Sequence, residues 1–104
     1  MSMKRIFWDE KTIDRELFKL SKSNSGDDKM RKIAKRAMRE VILNDLTQRQ
    51  KQFVLLYYYE ERNMPEIAEI CGVNVSTVSR TLARARKNIL ERIKYYFIKM
   101  EDEE

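Results

Sequence analysis

Arg80, Arg84 and Lys87 recur along one side of the segment Pro65 to Lys87, PEIAEICGVNVSTVSRTLARARK, and Ser76 and Thr77 precede them. Hydroxyl groups followed by guanidinium and ammonium groups suit hydrogen bonding to base edges and then to phosphates. At about 100° per residue from Val78, Ser76, Lys87 and Arg80 fall between about 160° and 200°, opposite the apolar side. Thr77 and Arg84 flank that outer face, at about 260° and 240°. Ser76, Thr77 and Arg80 are therefore the expected base contacts, joined by Val75, which opens the helix. Arg80 is able to make a bidentate contact to guanine, worth about 1–3 kcal/mol of discrimination. Ser79, Arg84, Arg86 and Lys87 are expected to meet phosphates, Arg86 more peripherally. Asn63, ahead of the preceding helix, offers its side chain and the next backbone N–H, that of Met64, to a further phosphate.

The elements that must hold these groups are a short helix, a tight turn and a longer helix. Ile67, Ala68 and Cys71 form one apolar stripe on the first. Gly72 supplies a residue able to take positive φ and close that helix, Val73 plugs the angle, and Asn74 caps the next. Val78, Leu82, Ala85 and Ile89 then recur as one buried stripe, and helix 75–92 is the expected recognition helix. A helix, a Gly-containing turn and a helix of this kind describe a helix-turn-helix.

Charge is distributed to match. The chain of 104 residues carries a net charge of +5 with 38% charged residues. Val75 to Lys94 holds six basic residues against Glu91, and Lys29 to Arg39 holds six with no acid. Leu46 to Cys71, between them, is close to neutral. Two concentrated basic helices on a neutral frame suit a polyanion such as double-stranded DNA. Catalysis has no comparable grouping: the chain lacks His, and its carboxylates and lysines alternate along helix faces. One Cys and no His exclude a disulfide framework and the usual zinc spacings, so no cofactor or metal is expected. Cys71 reads as a small buried residue. No apolar run is long enough for a membrane span, and residues 1–22 lack the apolar centre of a secretory signal, so a cytoplasmic location is expected.

Two Gly, one Pro and no alternating β-branched run point to an all-α fold of one domain. Residues 1–27 read as a segment with one short helix, about Glu10 to Ser21, after an apolar cluster Ile6 to Trp8 and before the linker SKSNSGDD. Residues 28–100 form the helix-turn-helix domain. Asp27 or Asp28 caps a helix in which Met30, Ile33, Ala34, Ala37, Met38, Val41 and Ile42 keep helical spacing to Asn44 and Asp45. Thr47 with Gln50, and Asn63 with Glu66, make two capping boxes. Tyr57, Tyr58 and Tyr59 are expected to wedge between helices. The last helix is expected to run to the high nineties, with residues 101–104 an acidic tail that frays.

From about Asp28 to Ile93 the chain resembles region four, the C-terminal DNA-binding domain of bacterial RNA polymerase sigma factors. The matching pieces are Met38-Arg39-Glu40-Val41, Leu46-Thr47-Gln48-Arg49-Gln50, Pro65-Glu66-Ile67-Ala68-Glu69, Gly72 to Val78 and Leu82 to Lys87, in the family's order. The resemblance implies a four-helix domain whose last helix enters the major groove of a promoter element and which docks on RNA polymerase. With only about 27 residues ahead of the match, a lone region four without region two is expected. Val75 stands at the first recognition-helix position, where many relatives place an arginine.

The expected function is sequence-specific, DNA-binding transcription regulation. The alternative is a protein-interaction module that binds RNA polymerase or a partner sigma fragment without reading DNA. A third reading, a small regulator like those associated with the signal recognition particle, ordinarily has this motif near the N-terminus. Trp8, Ile13, Leu17, Phe18 and Leu20, and separately Ile89, Leu90, Ile93, Tyr96, Phe97 and Met100, carry apolar surface that must be covered. The two groups can cover each other within one chain or across a homodimer.

Overall fold

Two capping boxes, one left-handed glycine and one apolar seam determine where the helices begin, end and meet. The computed structural model describes residues 9–20 and 29–103. The expected cluster Ile6 to Trp8, the linker 21–28 with its Asp27 or Asp28 cap, and Glu104 lie outside the described residues. Among those described there are five helices and no strand: α1 (Glu10–Leu20), α2 (Lys29–Asp45), α3 (Gln48–Val54), α4 (Met64–Cys71) and α5 (Val75–Glu103). The all-α class is as expected.

α1 begins on Asp9, whose Oδ1 accepts from the Thr12 N–H at 2.8 Å. That bond holds the Asp9 carboxyl below the usual carboxylate range. Ile13, Leu17 and Leu20 recur every three or four residues and are buried together. In α2 the periodic residues Ile33, Ala34, Ala37, Met38, Val41 and Ile42 are likewise buried. The cap of α3 is reciprocal: Thr47 Oγ1 accepts from the Gln50 N–H and Gln50 Oε1 from the Thr47 N–H, both at 3.1 Å.

The third helix departs from simple 3.6-residue periodicity. After Val54 the chain widens into a π-helical turn, Leu55–Tyr59, with the Glu60 N–H donating to Leu55 O at 3.0 Å. Such a turn accommodates one extra residue. Here Tyr58 lies fully inside while Tyr57 and Tyr59 stay half-buried. Phe18 of α1 meets both Tyr57 and Tyr58, with ring centroids 5.6 and 4.6 Å apart. The tyrosines wedge between helices, as expected. Glu61, at φ 57°, then turns the chain out of the wide turn.

α5 is the spine. Val78, Leu82, Ala85, Ile89, Ile93, Phe97 and Met100 form one buried seam, and α1, α2, α3 and α4 all pack on this helix. Ile13 and Leu17 are covered inside the chain, as are Ile93 and Phe97. The helix continues to Glu103, beyond the expected end in the high nineties. Met100, only 7% exposed, carries the seam into the last turn and holds it.

Leu17 is fully enclosed, and truncating such a side chain typically costs about 2–5 kcal/mol in transfer and cavity terms. Leu17→Ala is expected to lower unfolding free energy by about that amount. Urea denaturation checks it; a loss under about 0.5 kcal/mol, the range of ordinary surface changes, would show that α1 is not part of the stabilising core.

Candidate nucleic-acid interface

The turn between α4 and α5 is built from backbone demands. Pro65 occupies the first turn of α4, where a missing N–H costs nothing. Asn63 Oδ1 accepts from the Glu66 N–H at 2.8 Å, and Glu66 Oε1 accepts from the Asn63 N–H at 2.9 Å. At the other end Gly72 adopts φ 70°, and the N–H groups of Gly72 and Val73 both donate to Ala68 O. A side chain on Gly72 would meet nothing within 4 Å, so its requirement there is conformational rather than steric. Val73 and Cys71, each half-buried, pack against the core beside the turn.

Asn74 starts α5. Its Oδ1 accepts from the Thr77 N–H at 2.9 Å, from Thr77 Oγ1 at 2.9 Å and from Ser76 Oγ at 2.7 Å. An amide oxygen only accepts, so both hydroxyls spend their hydrogens on the cap. In this arrangement they offer oxygen lone pairs outward, which suit the amino groups of adenine or cytosine.

Ser76, Arg80, Arg84 and Lys87 are exposed on the side of α5 away from the Val78–Leu82–Ala85 seam, and Ser79 is exposed on its flank. Among the described residues no carboxylate pairs with Arg80, Arg84 or Lys87. Val75 is 43% exposed at the head of the same face, and Thr77 is half-buried at its flank. Asn63 is exposed at the start of α4, but its side-chain oxygen is committed to the cap. The Met64 side chain packs against the core, which leaves its backbone N–H as the group at that helix end.

Arg86 is placed differently from the peripheral phosphate contact expected of it. Its Nη1 donates to Tyr58 Oη at 3.0 Å and lies 4.0 Å from Asp14 Oδ1, with the side chain 19% exposed. Tyr58 Oη donates to the same Asp14 oxygen at 2.5 Å. The signal was in the spacing: at about 100° per residue Arg86 falls some 80° from Val78, on the inner flank rather than the outer face. Burial first, and then the bond to Asp14, push the Tyr58 phenol above its ordinary value, with Arg86 opposing. Asn88 is a second tie that sequence reasoning missed, donating from Nδ2 to Gln50 Oε1 at 3.1 Å. It links the capping residue of α3 to α5.

A comparison with known protein families matches residues 36–89 to the family described as Sigma-70, region 4. The match covers just over half the chain and runs from within α2 through the helix-turn-helix to Ile89 of the seam. The chain belongs to the sigma-70 region 4 family. Region 4 is a DNA-binding helix-turn-helix domain that associates with RNA polymerase. α1 and the part of α5 beyond Ile89 lie outside the residues matched to region 4. No curated protein and no solved structure gives a match. Among the described residues no helix is long and apolar enough to cross a membrane, and no group of His, Cys, Asp or Glu is placed to hold a metal ion.

Two outcomes check this geometry. Gly72→Ala is expected to destabilise the region 4 fold by about 1–2 kcal/mol through the left-handed backbone, and Gly72→Asn by less. Equal effects of the two in urea denaturation would contradict the conformational explanation. The raised phenol of Tyr58 means that above pH about 10 the unfolded chain releases this proton before the folded one. Its contribution is intact below that pH and is lost as pH rises further. Tyr58→Phe should therefore flatten the alkaline fall of stability, and an unchanged slope would contradict the assignment.

Proposed function

We propose that this sigma region 4 protein is a sequence-specific transcription regulator that reads the major groove with the first half of α5. Val75, Ser76, Thr77 and Arg80 are the base contacts in this reading. Arg80 supplies the bidentate donor, Ser76 and Thr77 the acceptors, and Val75 an apolar contact suited to a thymine methyl. Ser79, Arg84, Lys87 and the helix end at Asn63 and Met64 take phosphates. Arg86 is left out of this set because Tyr58 and Asp14 hold it. The observation that carries the reading is the exposed, carboxylate-free row Arg80, Arg84 and Lys87, aligned with the capped start of a helix-turn-helix second helix.

Region 4 membership also favours docking on RNA polymerase. Leu43 and Leu55, 61% and 38% exposed, flank Lys51 on α2 and the π turn. They offer an apolar surface on elements other than the recognition helix. A protein-interaction role without DNA reading would use that surface and leave α5 idle.

Duplex DNA binding measured across a salt series separates the two. Each phosphate neutralised contributes about −0.9 to the log–log slope, so Arg84 and Lys87 together give about −1.8. Arg80→Ala is expected to relax sequence preference, whereas Lys87→Ala should weaken all sequences about equally. Uniform loss in both variants would overturn the division into base and phosphate contacts. No duplex binding at low salt, with polymerase binding retained, would favour the interaction module.

A further inference from the structure

Arg84, Arg86 and Lys87 sit within one turn of α5, yet only Arg86 among them is drawn inward. The groups that draw it come from outside the helix-turn-helix: Asp14 of α1, and Tyr58 of the π turn, which itself donates to Asp14. These three residues line or adjoin an open cleft whose wall includes Glu10, Lys11, Asp14, Tyr57, Met64 and Arg86. The cleft therefore joins the start of α4, where a phosphate is expected, to a guanidinium and to two carboxylates of α1. A phosphate approaching the Met64 N–H would meet the negative charge of Glu10 and Asp14. Of the two cations on that wall, Lys11 is exposed and Arg86 is already engaged. Its hold is not a tight one, because Arg86 and Asp14 stand 4.0 Å apart and the Asp14 side chain is 44% exposed. A partly solvated pair at that separation is weak enough to be released.

We propose that α1 acts as a brake on DNA binding: Asp14, together with Tyr58, keeps Arg86 off the backbone phosphate at the start of α4, and Glu10 and Asp14 guard that position with negative charge. Displacing the Asp14 carboxylate frees Arg86 to turn toward the phosphate. This rests on the DNA-binding reading above and adds a control on its strength. The released contact is to backbone only, so the gain is independent of sequence.

The test is binding of a mixed-sequence duplex over a salt series by the full chain, Asp14→Asn, Arg86→Gln and the double variant, with helix content followed by circular dichroism. Asp14→Asn is expected to bind roughly three- to tenfold more tightly, as one charged hydrogen bond is added, with a salt slope steeper by about 0.9. Adding Arg86→Gln should abolish the change in slope and reduce the gain to what loss of the Asp14 charge alone gives. Glu10→Gln, which breaks no described hydrogen bond, is expected to tighten binding by less than Asp14→Asn does, and most at low salt; unchanged affinity there overturns the guarding charge. No gain in Asp14→Asn, or a gain that persists undiminished in the double variant, overturns the brake, since the latter is a long-range charge effect. If Asp14→Asn loses helix, Arg86→Gln alone decides the matter: an Arg86 held off the duplex leaves the salt slope unchanged when it is removed, and a slope shallower by about 0.9 overturns the proposal. Failure of every protein to bind duplex would instead overturn the DNA-binding reading itself, and the brake with it.

Discussion

The buried seam of α5, running from Val78 to Met100, is the surface on which α1, α2, α3 and α4 all pack. Because a helix presents its faces at fixed angles, burying that seam also determines what the opposite face shows. Arg80, Arg84 and Lys87 point outward as a consequence of Val78, Leu82 and Ala85 pointing in. Stability and the proposed recognition are thus two sides of one helix. A change that rotates α5 by a fraction of a turn would cost apolar burial and misdirect the groups proposed to read bases together. The caps serve the same end, since Asn74 fixes where the helix begins and Gly72 fixes the angle at which it leaves α4.

Much of this was legible in the sequence because it is local. The pairs Thr47 with Gln50 and Asn63 with Glu66 announce helix starts three residues apart, and both form as reciprocal bonds. Gly72 is followed by an Asn cap at the spacing that a helix-turn-helix needs. What stayed hidden depends on residues far apart in the chain. Tyr58 and Asp14 are separated by 44 positions, and Arg86 and Tyr58 by 28, so no periodicity links them. The π turn was invisible for a related reason. A 3.6-residue template assumes the pitch that Leu55–Tyr59 abandons, and the wider turn is held by Tyr58 packing beneath Phe18. The Asp9 cap of α1, three residues before Thr12, is local and legible in the same way.

The same long-range ties give the protein features beyond the matched family segment. α1 packs on α5 and the π turn and contributes Asp14 to the one polar junction that ties α1, the π turn and α5 together among the described hydrogen bonds. That junction is buried enough to raise the Tyr58 phenol, yet open enough on the Asp14 side to exchange with solvent. A fully apolar junction would bind α1 more firmly and leave Arg86 without a partner. The polar one holds the arginine in a defined place, at the edge of the surface proposed for DNA.

The account stands or falls on which face of α5 meets the duplex. Titrating mixed-sequence DNA into isotopically labelled protein and following backbone amide resonances locates that face directly. The account requires the largest shifts at Asn63, Met64 and Val75 to Lys87, with the amides of Ile93 to Met100 nearly still. Shifts confined to α2 and the Leu43–Leu55 surface, with the first half of α5 unmoved, would contradict it.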